Sequence, residues 1–132
     1  MPFVFKDVDK LLHQPLEGGG DCVALIKLHV PALAHKSAHL HWRAGDLVID
    51  AKNLPRGTAI ATFVDGRYPG LAKGNHAAFY LAGAGNGFYA MDQWKGRAFI
   101  DKRRIALAGR FRDGRLAAGL SDAAQAFYVI EL

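Results

Sequence analysis

The pattern of apolar and polar positions divides the chain into a helical N-terminal part and a longer part made of short strands. Between Asp21 and about His29 nearly every position is apolar, a pattern that fits either a helix or a buried strand. The composition favours a helix, because alanine, leucine and lysine are good helix formers, Asp21 is a suitable N-cap and Pro31 limits the far end. Residues 3–12 predict a short extended start and a helical turn that ends before Pro15.

From residue 47 onward, short apolar runs alternate with glycine-containing turns, which is typical of strands. Asp65 and Gly66 form a strong turn signal. The runs on either side of the glycine-rich segment 83–87 predict a β-hairpin. The sum is an α+β fold, in which a helix-bearing N-terminal half packs on an antiparallel sheet. The predicted strands are 47–49, 58–64, 77–81, 88–94, 98–100, 105–107 and 126–130.

Length and composition limit the class of protein. With 132 residues, of which 51% are hydrophobic, we expect a single domain with a real core over residues 1–132. One cysteine excludes an internal disulfide, and no apolar run is long enough to span a bilayer. The segment 1–7 lacks the basic region and apolar core of a secretory signal, so we expect a protein made in the cytoplasm without a cleaved signal peptide.

The charge balance concerns possible partners. Seventeen lysine and arginine residues against 12 aspartate and glutamate residues give a net charge of +5, which suits an anionic partner such as nucleic acid, an acidic protein or an anionic cell-envelope polymer. No nucleic-acid-binding motif accompanies the charge, so a nucleic-acid partner is disfavoured. The basic residues of the last third are expected to form a solvated face; they are Lys95, Arg97, Lys102, Arg103, Arg104, Arg110, Arg112 and Arg115.

Cys22, the only cysteine, follows three glycines at the start of the predicted helix. The unpaired N–H groups and the dipole at a helix N-terminus favour an anion, so a thiol there has a lowered pKa and more thiolate at neutral pH. We therefore interpret Cys22 as a nucleophile. The alternative is a buried cysteine that behaves as a small hydrophobic residue, as free cysteines commonly do.

A cysteine nucleophile needs a base, and the base needs an orienting group. His76 begins a predicted strand directly after a glycine loop, and Asp92 lies on the other strand of the predicted hairpin. Closing that hairpin brings the two together, with the carboxylate holding the imidazole, and completes a Cys22–His76–Asp92 triad. If His76 is instead a hydrogen-bonded core histidine, the domain is a non-catalytic binding module of the same fold.

The remaining candidates are weaker. His39 and His41 lack the companion cysteine or spacing of a zinc site, so we interpret them as surface or packing histidines, with a metal site as the minor alternative. The predicted acyl-transfer chemistry needs no metal, and we expect no cofactor. Tyr68, Tyr80 and Trp94 are candidates for the walls of a cleft, although such aromatic residues more commonly serve the core.

At these motifs the sequence resembles the papain-like cell-wall peptidases of the NlpC and CHAP type. More narrowly, most of the chain is similar to a small family of bacterial type VI secretion amidase effectors, with looser matches at 32–53 and 103–125. The motifs that carry the resemblance are Gly20-Asp21-Cys22-Val23-Ala24-Leu25, Gly57-Thr58-Ala59-Ile60-Ala61-Thr62-Phe63, Gly66-Arg67-Tyr68-Pro69, Asn75-His76-Ala77-Ala78-Phe79-Tyr80-Leu81 and Met91-Asp92-Gln93-Trp94.

This resemblance implies a papain-like fold and a cysteine amidase that cuts the peptide stems or cross-links of peptidoglycan. It also implies delivery by a type VI system into the periplasm of rival cells, and a complementary immunity protein that blocks the site in the producer. One position departs from the pattern, because relatives often carry glutamine before the catalytic cysteine and this chain has Asp21. An aspartate cannot donate a hydrogen bond to an oxyanion, so the backbone N–H of Cys22 would carry more of that role.

Overall fold

The strand-forming runs assemble into a six-stranded antiparallel sheet in the computed structural model, which describes residues 2–132. The strand order is β1-β6-β2-β3-β4-β5. In chain order the strands are β1 (Arg43–Leu47), β2 (Ala59–Thr62), β3 (Ala77–Gly83), β4 (Gly87–Asp92), β5 (Asp101–Ala106) and β6 (Phe127–Glu131). The α-helices are α1 (Cys22–His29) and α2 (Ala38–His41). Short 3₁₀ turns span Val8–Leu11, Gly18–Gly20, Pro31–Leu33, Val48–Asp50, Leu120–Asp122 and Ala124–Ala126.

Helix α1 begins where the sequence predicts. Asp21 is its N-cap, and its carboxylate accepts hydrogen bonds from the amides of Val23 and Ala24. Leu25 and Ile26 are fully buried on the side of α1 that packs on the sheet. The segment 22–29 is therefore a helix and not a buried strand, and it places Cys22 at its first position.

The sheet is buried on both faces, which explains why its central strands are almost entirely apolar. One core contains α1, the N-terminal segment and Phe79. The other contains Phe88, Ile105 and Phe127. All four residues of β2 are buried. The α+β architecture with an antiparallel sheet is confirmed, and the segment 3–12 forms the predicted extended start and helical turn.

The hairpin of β3 and β4 is confirmed, and it positions the polar residues at one end of the sheet. Phe79 pairs with Met91, a register that places Asp92 opposite Ala78 and diagonal to His76. Diagonal neighbours share one face of a sheet and long side chains can reach across the gap. The open end of the hairpin therefore gathers His76 and Asp92.

The structure differs from the predicted strands in two places. Val48 and Ile49 lie in a 3₁₀ turn, so β1 ends at Leu47 and its earlier residues form the strand. Residues 98–100 are not a strand, and β5 instead includes the charged residues 101–104. That strand lies at the edge of the sheet, where lysine and arginine are favoured because they discourage pairing with other chains. No helix within residues 2–132 is long and apolar enough to cross a membrane.

Candidate active site

Cys22 lies at the start of α1, directly after the glycine loop 18–20 and the N-cap Asp21. Its side chain is half-buried, in contrast to the fully enclosed cysteine that a purely structural role would favour. The Asp21 carboxylate is 3.1 Å from the Val23 amide and 3.3 Å from the Ala24 amide. Asp21 therefore caps the helix and presents no donor to a substrate.

Both the backbone and the side chain of His76 are held by hydrogen bonds. Its N–H donates to Thr62 Oγ1 at 3.0 Å, and its carbonyl accepts from the Thr62 N–H at 2.9 Å. The ring is buried and its Nε2 is 2.7 Å from Asp92 Oδ2. The structure thus brings together the two residues that the hairpin argument predicted to meet.

Cys22, at the start of α1, is the third residue of this group and lies beside His76. Burial alone would lower the pKa of His76, but the hydrogen bond to Asp92 and the interaction with the Cys22 side chain raise it to about 9. The folded environment therefore favours the protonated imidazole. Because Nε2 is taken by Asp92, Nδ1 is the nitrogen left to face the thiol. All three residues of the predicted triad meet at one place.

Asp92 has more partners than a simple orienting group needs. Its side chain is completely buried and accepts from Arg97 Nη1 at 2.7 Å and from Arg103 Nε at 2.7 Å, in addition to His76. Burial alone would raise the pKa of Asp92, but the hydrogen bond to His76 and the charges of His76 and Arg103 hold it below its usual range. The carboxylate therefore stays ionised in the folded protein.

Arg97 and Arg103 were expected to belong to a solvated basic face, and for these two residues that prediction is wrong. Their side chains are only 14% and 19% exposed. The guanidinium carbon of Arg97 lies 4.0 Å from the centre of the Trp94 ring, and that of Arg103 lies 5.5 Å from it. The same indole meets the His76 ring edge-on at 6.3 Å. Trp94 therefore partly covers the charged groups around Asp92.

Gln93 holds the loop that precedes Cys22, a role the sequence motif did not reveal. The side chain is fully buried, and its Oε1 accepts from the Glu17 N–H at 2.9 Å. Its Nε2 donates to the Glu17 carbonyl at 2.7 Å and to the Asp21 carbonyl at 2.8 Å. Two consecutive residues at the end of β4, Asp92 and Gln93, thus contact His76 and the loop before Cys22 respectively.

Tyr68 is a further residue beside the nucleophile. It is buried, and its ring packs edge-on against Trp42 and Phe63. Burial raises the pKa of Tyr68, and the neighbouring Cys22 and Asp21 raise it further. The hydroxyl therefore stays protonated across the physiological range and can donate a hydrogen bond at the thiol.

A cavity of about 340 Å³ opens beside the His76 ring. The buried Oδ1 of Asn75 has no hydrogen-bond partner among residues 2–132. The cavity is lined by Asn75, His76, Trp94, Arg103, Ser121 and Asp122.

The histidines with metal-like spacing lie elsewhere. Within the described chain, 2–132, no group of three or more His, Cys, Asp or Glu side chains is placed to hold a metal ion. His39 Nδ1 pairs with the Tyr68 carbonyl at 3.3 Å. His39 therefore helps to position the segment that carries Tyr68.

Comparison with known proteins extends these observations. The family model described as domesticated amidase effector 2 matches residues 6–130. A Salmonella typhi protein named type VI secretion amidase effector 2 is 37% identical over 139 residues, which cover 99% of this chain and 100% of that protein. The solved structure of a type 6 secretion amidase effector 2 (Tae2) superposes with a TM-score of 0.86 at 34% identity, covering 100% of this chain and 96% of the other.

The similarity extends over the whole sheet and α1, not only over the site. The papain-like α+β fold implied by the sequence motifs is confirmed by the structural match. The resemblance to type VI secretion amidase effectors is likewise confirmed by the sequence matches. The chain therefore belongs to the domesticated amidase effector 2 family.

Proposed function

We propose that residues 1–132 form a single cysteine amidase domain that hydrolyses an amide bond in the stem or cross-link peptides of peptidoglycan. The observation that carries this proposal is the meeting of Cys22, at the N-terminus of α1, with the buried pair of His76 and Asp92. The names of its relatives, which are amidase effectors of type VI secretion, support the reaction class.

The chemistry is acyl transfer between cysteine and water. In the reactive form of the pair the proton of the Cys22 thiol is on His76, and the Cys22 sulfur attacks the amide carbonyl. His76 then gives its proton to the leaving amine as the C–N bond breaks. A water molecule, deprotonated by His76, attacks the thioester and releases the acid and the free thiolate. Asp92 holds the ring in place and stabilises its positive charge throughout.

The oxyanion of the tetrahedral intermediate needs donors at the start of α1. Asp21 is unsuitable, since its carboxylate already accepts from Val23 and Ala24. We assign the main role to the backbone N–H of Cys22. We assign a second donor role to the Tyr68 hydroxyl, which stays protonated beside Cys22.

The biological setting follows from the effector relatives. We propose that a type VI system delivers the protein into the periplasm of a target cell, where the peptidoglycan substrate lies. A producing cell then needs a cognate immunity protein that covers the Cys22 site. An acidic inhibitor surface fits the net charge of +5.

The experiment is digestion of purified Gram-negative peptidoglycan, read by mass spectrometry, with the wild type, Cys22→Ala and His76→Ala. His35→Ala, which changes an exposed histidine outside the site, is the matched control. We expect new fragments from the wild type and the control only, and their masses name the bond that is cut. A folded wild type that releases no fragments would overturn the amidase proposal and favour the binding module.

Alkylation of Cys22 by iodoacetamide tests the site separately from the substrate. An ordinary thiol has a pKa of about 8.5 and reacts slowly at lower pH. If Cys22 is paired with His76, its alkylation should remain fast well below that pH. In His76→Ala that persistence should disappear. A rate that follows an ordinary thiol in both proteins would contradict the assigned pair.

A further inference from the structure

Arg103 contacts the site at several points, and the acyl-transfer mechanism uses none of them. Its Nε donates to Asp92 Oδ2 at 2.7 Å, and its Nη2 donates to the Ser121 carbonyl at 2.7 Å. Its Nη1 is 3.0 Å from Asp122 Oδ1. One planar guanidinium therefore joins the buried carboxylate to the 3₁₀ turn Leu120–Asp122, which forms a wall of the cavity.

The position of Arg103 follows from the register of the sheet. Arg103 pairs with Ala90 across β4 and β5, so it is a diagonal neighbour of Asp92 on the same face. Arg104, the next residue, faces the opposite way and binds the Ala84 carbonyl and Asn86 Oδ1. The strand thus carries two adjacent arginines, of which only one reaches the site.

A single carboxylate oxygen is shared between Arg103 and the base. Both His76 Nε2 and Arg103 Nε lie 2.7 Å from Asp92 Oδ2, while Arg97 Nη1 holds Oδ1 at 2.7 Å. With both oxygens held by rigid guanidinium groups, the carboxylate has little freedom to rotate away from the imidazole.

We propose that Arg103 is a positioning residue of the active site, which fixes Asp92 Oδ2 against His76 and attaches the cavity wall at Ser121 and Asp122 to that carboxylate. This inference rests on the proposed function, because it assigns Arg103 a part in the same reaction. It acts through Asp92, since its side-chain hydrogen bonds go to Asp92, Ser121 and Asp122.

The same geometry gives an electrostatic consequence. The charged or titratable groups around His76 are Cys22 from α1, Asp92 from β4, Arg97 from the following turn and Arg103 from β5. Asp122 adds an exposed negative charge beside Arg103. Removing the Arg103 charge leaves Asp92 more fully available to the imidazolium, so the pKa of His76 should rise.

The test compares Arg103→Gln with Arg104→Gln, which removes an equal charge from the same strand without touching the site. We expect Arg103→Gln to lower kcat roughly 10- to 100-fold with little change in KM, as misplacement of a catalytic group does. NMR titration of the His76 ring should show the higher pKa in this variant only. Arg104→Gln should match the wild type in all three measurements.

Arg103→Lys distinguishes the effect of the hydrogen-bonding geometry of Arg103 from the effect of its charge. It also provides a second test if Arg103→Gln does not fold. Lysine keeps the positive charge but lacks the fork that reaches Asp92, Ser121 and Asp122 together. We expect an unchanged His76 pKa with a kcat lowered about fivefold or more. An unchanged kcat in Arg103→Lys would overturn the proposal, as would a raised KM at constant kcat in Arg103→Gln, since that result indicates substrate binding.

The proposal and the amidase function can fail separately. The NMR titration needs no substrate, so an inactive wild type with the expected His76 shift would overturn the amidase while leaving the Asp92 contact of Arg103 supported. An active wild type whose His76 titrates alike in Arg103→Gln and Arg104→Gln would overturn the role of Arg103 alone.

Discussion

Gln93 Nε2 lies 2.8 Å from the carbonyl oxygen of Asp21, the residue that directly precedes Cys22. Because Gln93 also directly follows Asp92, this hydrogen bond joins the strand end that carries Asp92 to the loop that precedes Cys22. The strand end next to His76 and the loop before Cys22 are therefore connected through one side chain. A change at Gln93 should alter the reactivity of Cys22, although the side chain is fully buried.

We predict that Gln93→Glu lowers both stability and the reactivity of Cys22. Glutamate has nearly the same shape, but it places an acceptor oxygen against the carbonyls of Glu17 and Asp21 in a buried position. The unmade hydrogen bonds should cost about 1–3 kcal/mol in the free energy of unfolding. Denaturant unfolding and the rate of Cys22 alkylation measure the two effects.

A matched control is available elsewhere in the chain. Gln125 makes the same paired contact with one backbone unit, accepting from the Ala108 N–H and donating to the Ala108 carbonyl, each at 2.9 Å. Gln125→Glu should lose stability but keep the alkylation rate of the wild type. If both variants slowed alkylation equally, the effect would reflect general loosening and not the loop before Cys22.

A second prediction concerns Asp92→Asn. The amide cannot hold His76 as a cation, so the pKa of His76 should fall and kcat should drop by at least about 100-fold at pH 7. Arg97 and Arg103 also lose their buried counter-charge, which should lower the free energy of unfolding by on the order of 3 kcal/mol.

Mass spectrometry of peptidoglycan digests and thermal unfolding measure these changes to Asp92. Asp113→Asn, which removes an exposed carboxylate paired with Arg115, is the control and should stay within about 1 kcal/mol of the wild type. An Asp92→Asn variant with wild-type kcat would refute the orienting role of this carboxylate.

The pH dependence of stability gives a third prediction. The folded pKa of His76 is raised from 6.5 to about 9, so the folded state binds the proton more tightly than the unfolded state. The resulting stabilisation is fully present below pH 6.5 and is lost as the pH rises through about 9. The free energy of unfolding should therefore decline across this window, by at most about 1.4 kcal/mol per pH unit for one proton.

Urea unfolding at intervals from pH 6 to pH 9.5 measures this decline. His76→Gln removes the titrating group and should flatten the curve over the same range. A wild-type curve that stays level, or one that His76→Gln does not change, would show that the His76–Asp92 pair does not hold an extra proton in the folded state.

The proximity of the three proposed triad residues could be predicted from the sequence, because their positions depend on short-range features. A glycine run before an apolar helix predicted the place of Cys22, and a glycine turn between two apolar runs predicted the hairpin that pairs His76 with Asp92. Each feature follows from local backbone preferences, which do not need the rest of the fold.

The surroundings of the triad could not be found in this way. Arg97 and Arg103 look like ordinary surface residues in the sequence, and only the register of β4 with β5 brings Arg103 to Asp92. The charged strand β5 lacks the apolar alternation that predicts a strand, because it is stabilised by pairing at a sheet edge. Gln93 likewise gains its role from Glu17, which is 76 positions away.

The last prediction tests the glycine loop that precedes the nucleophile. Gly18 has φ of +58°, and a Cβ atom there would lie 2.7 Å from the Cβ of Ala24 on α1. Gly19 has φ of +81°, but a Cβ atom there would meet nothing within 4 Å. Gly18→Ala should therefore combine backbone strain with a clash, whereas Gly19→Ala should show the strain alone.

We expect Gly19→Ala to lose about 1–2 kcal/mol in the free energy of unfolding, the cost of a left-handed conformation for alanine, and to keep its rate of Cys22 alkylation. Gly18→Ala should lower the free energy of unfolding by about 1–3 kcal/mol more, which is the usual cost of overpacking. Its alkylation rate should also fall, because relieving the clash with Ala24 shifts the loop relative to α1 and disturbs the first turn of the helix, where Cys22 lies. Equal stability and equal reactivity of the two variants would show that the glycine loop does not depend on its close contact with Ala24.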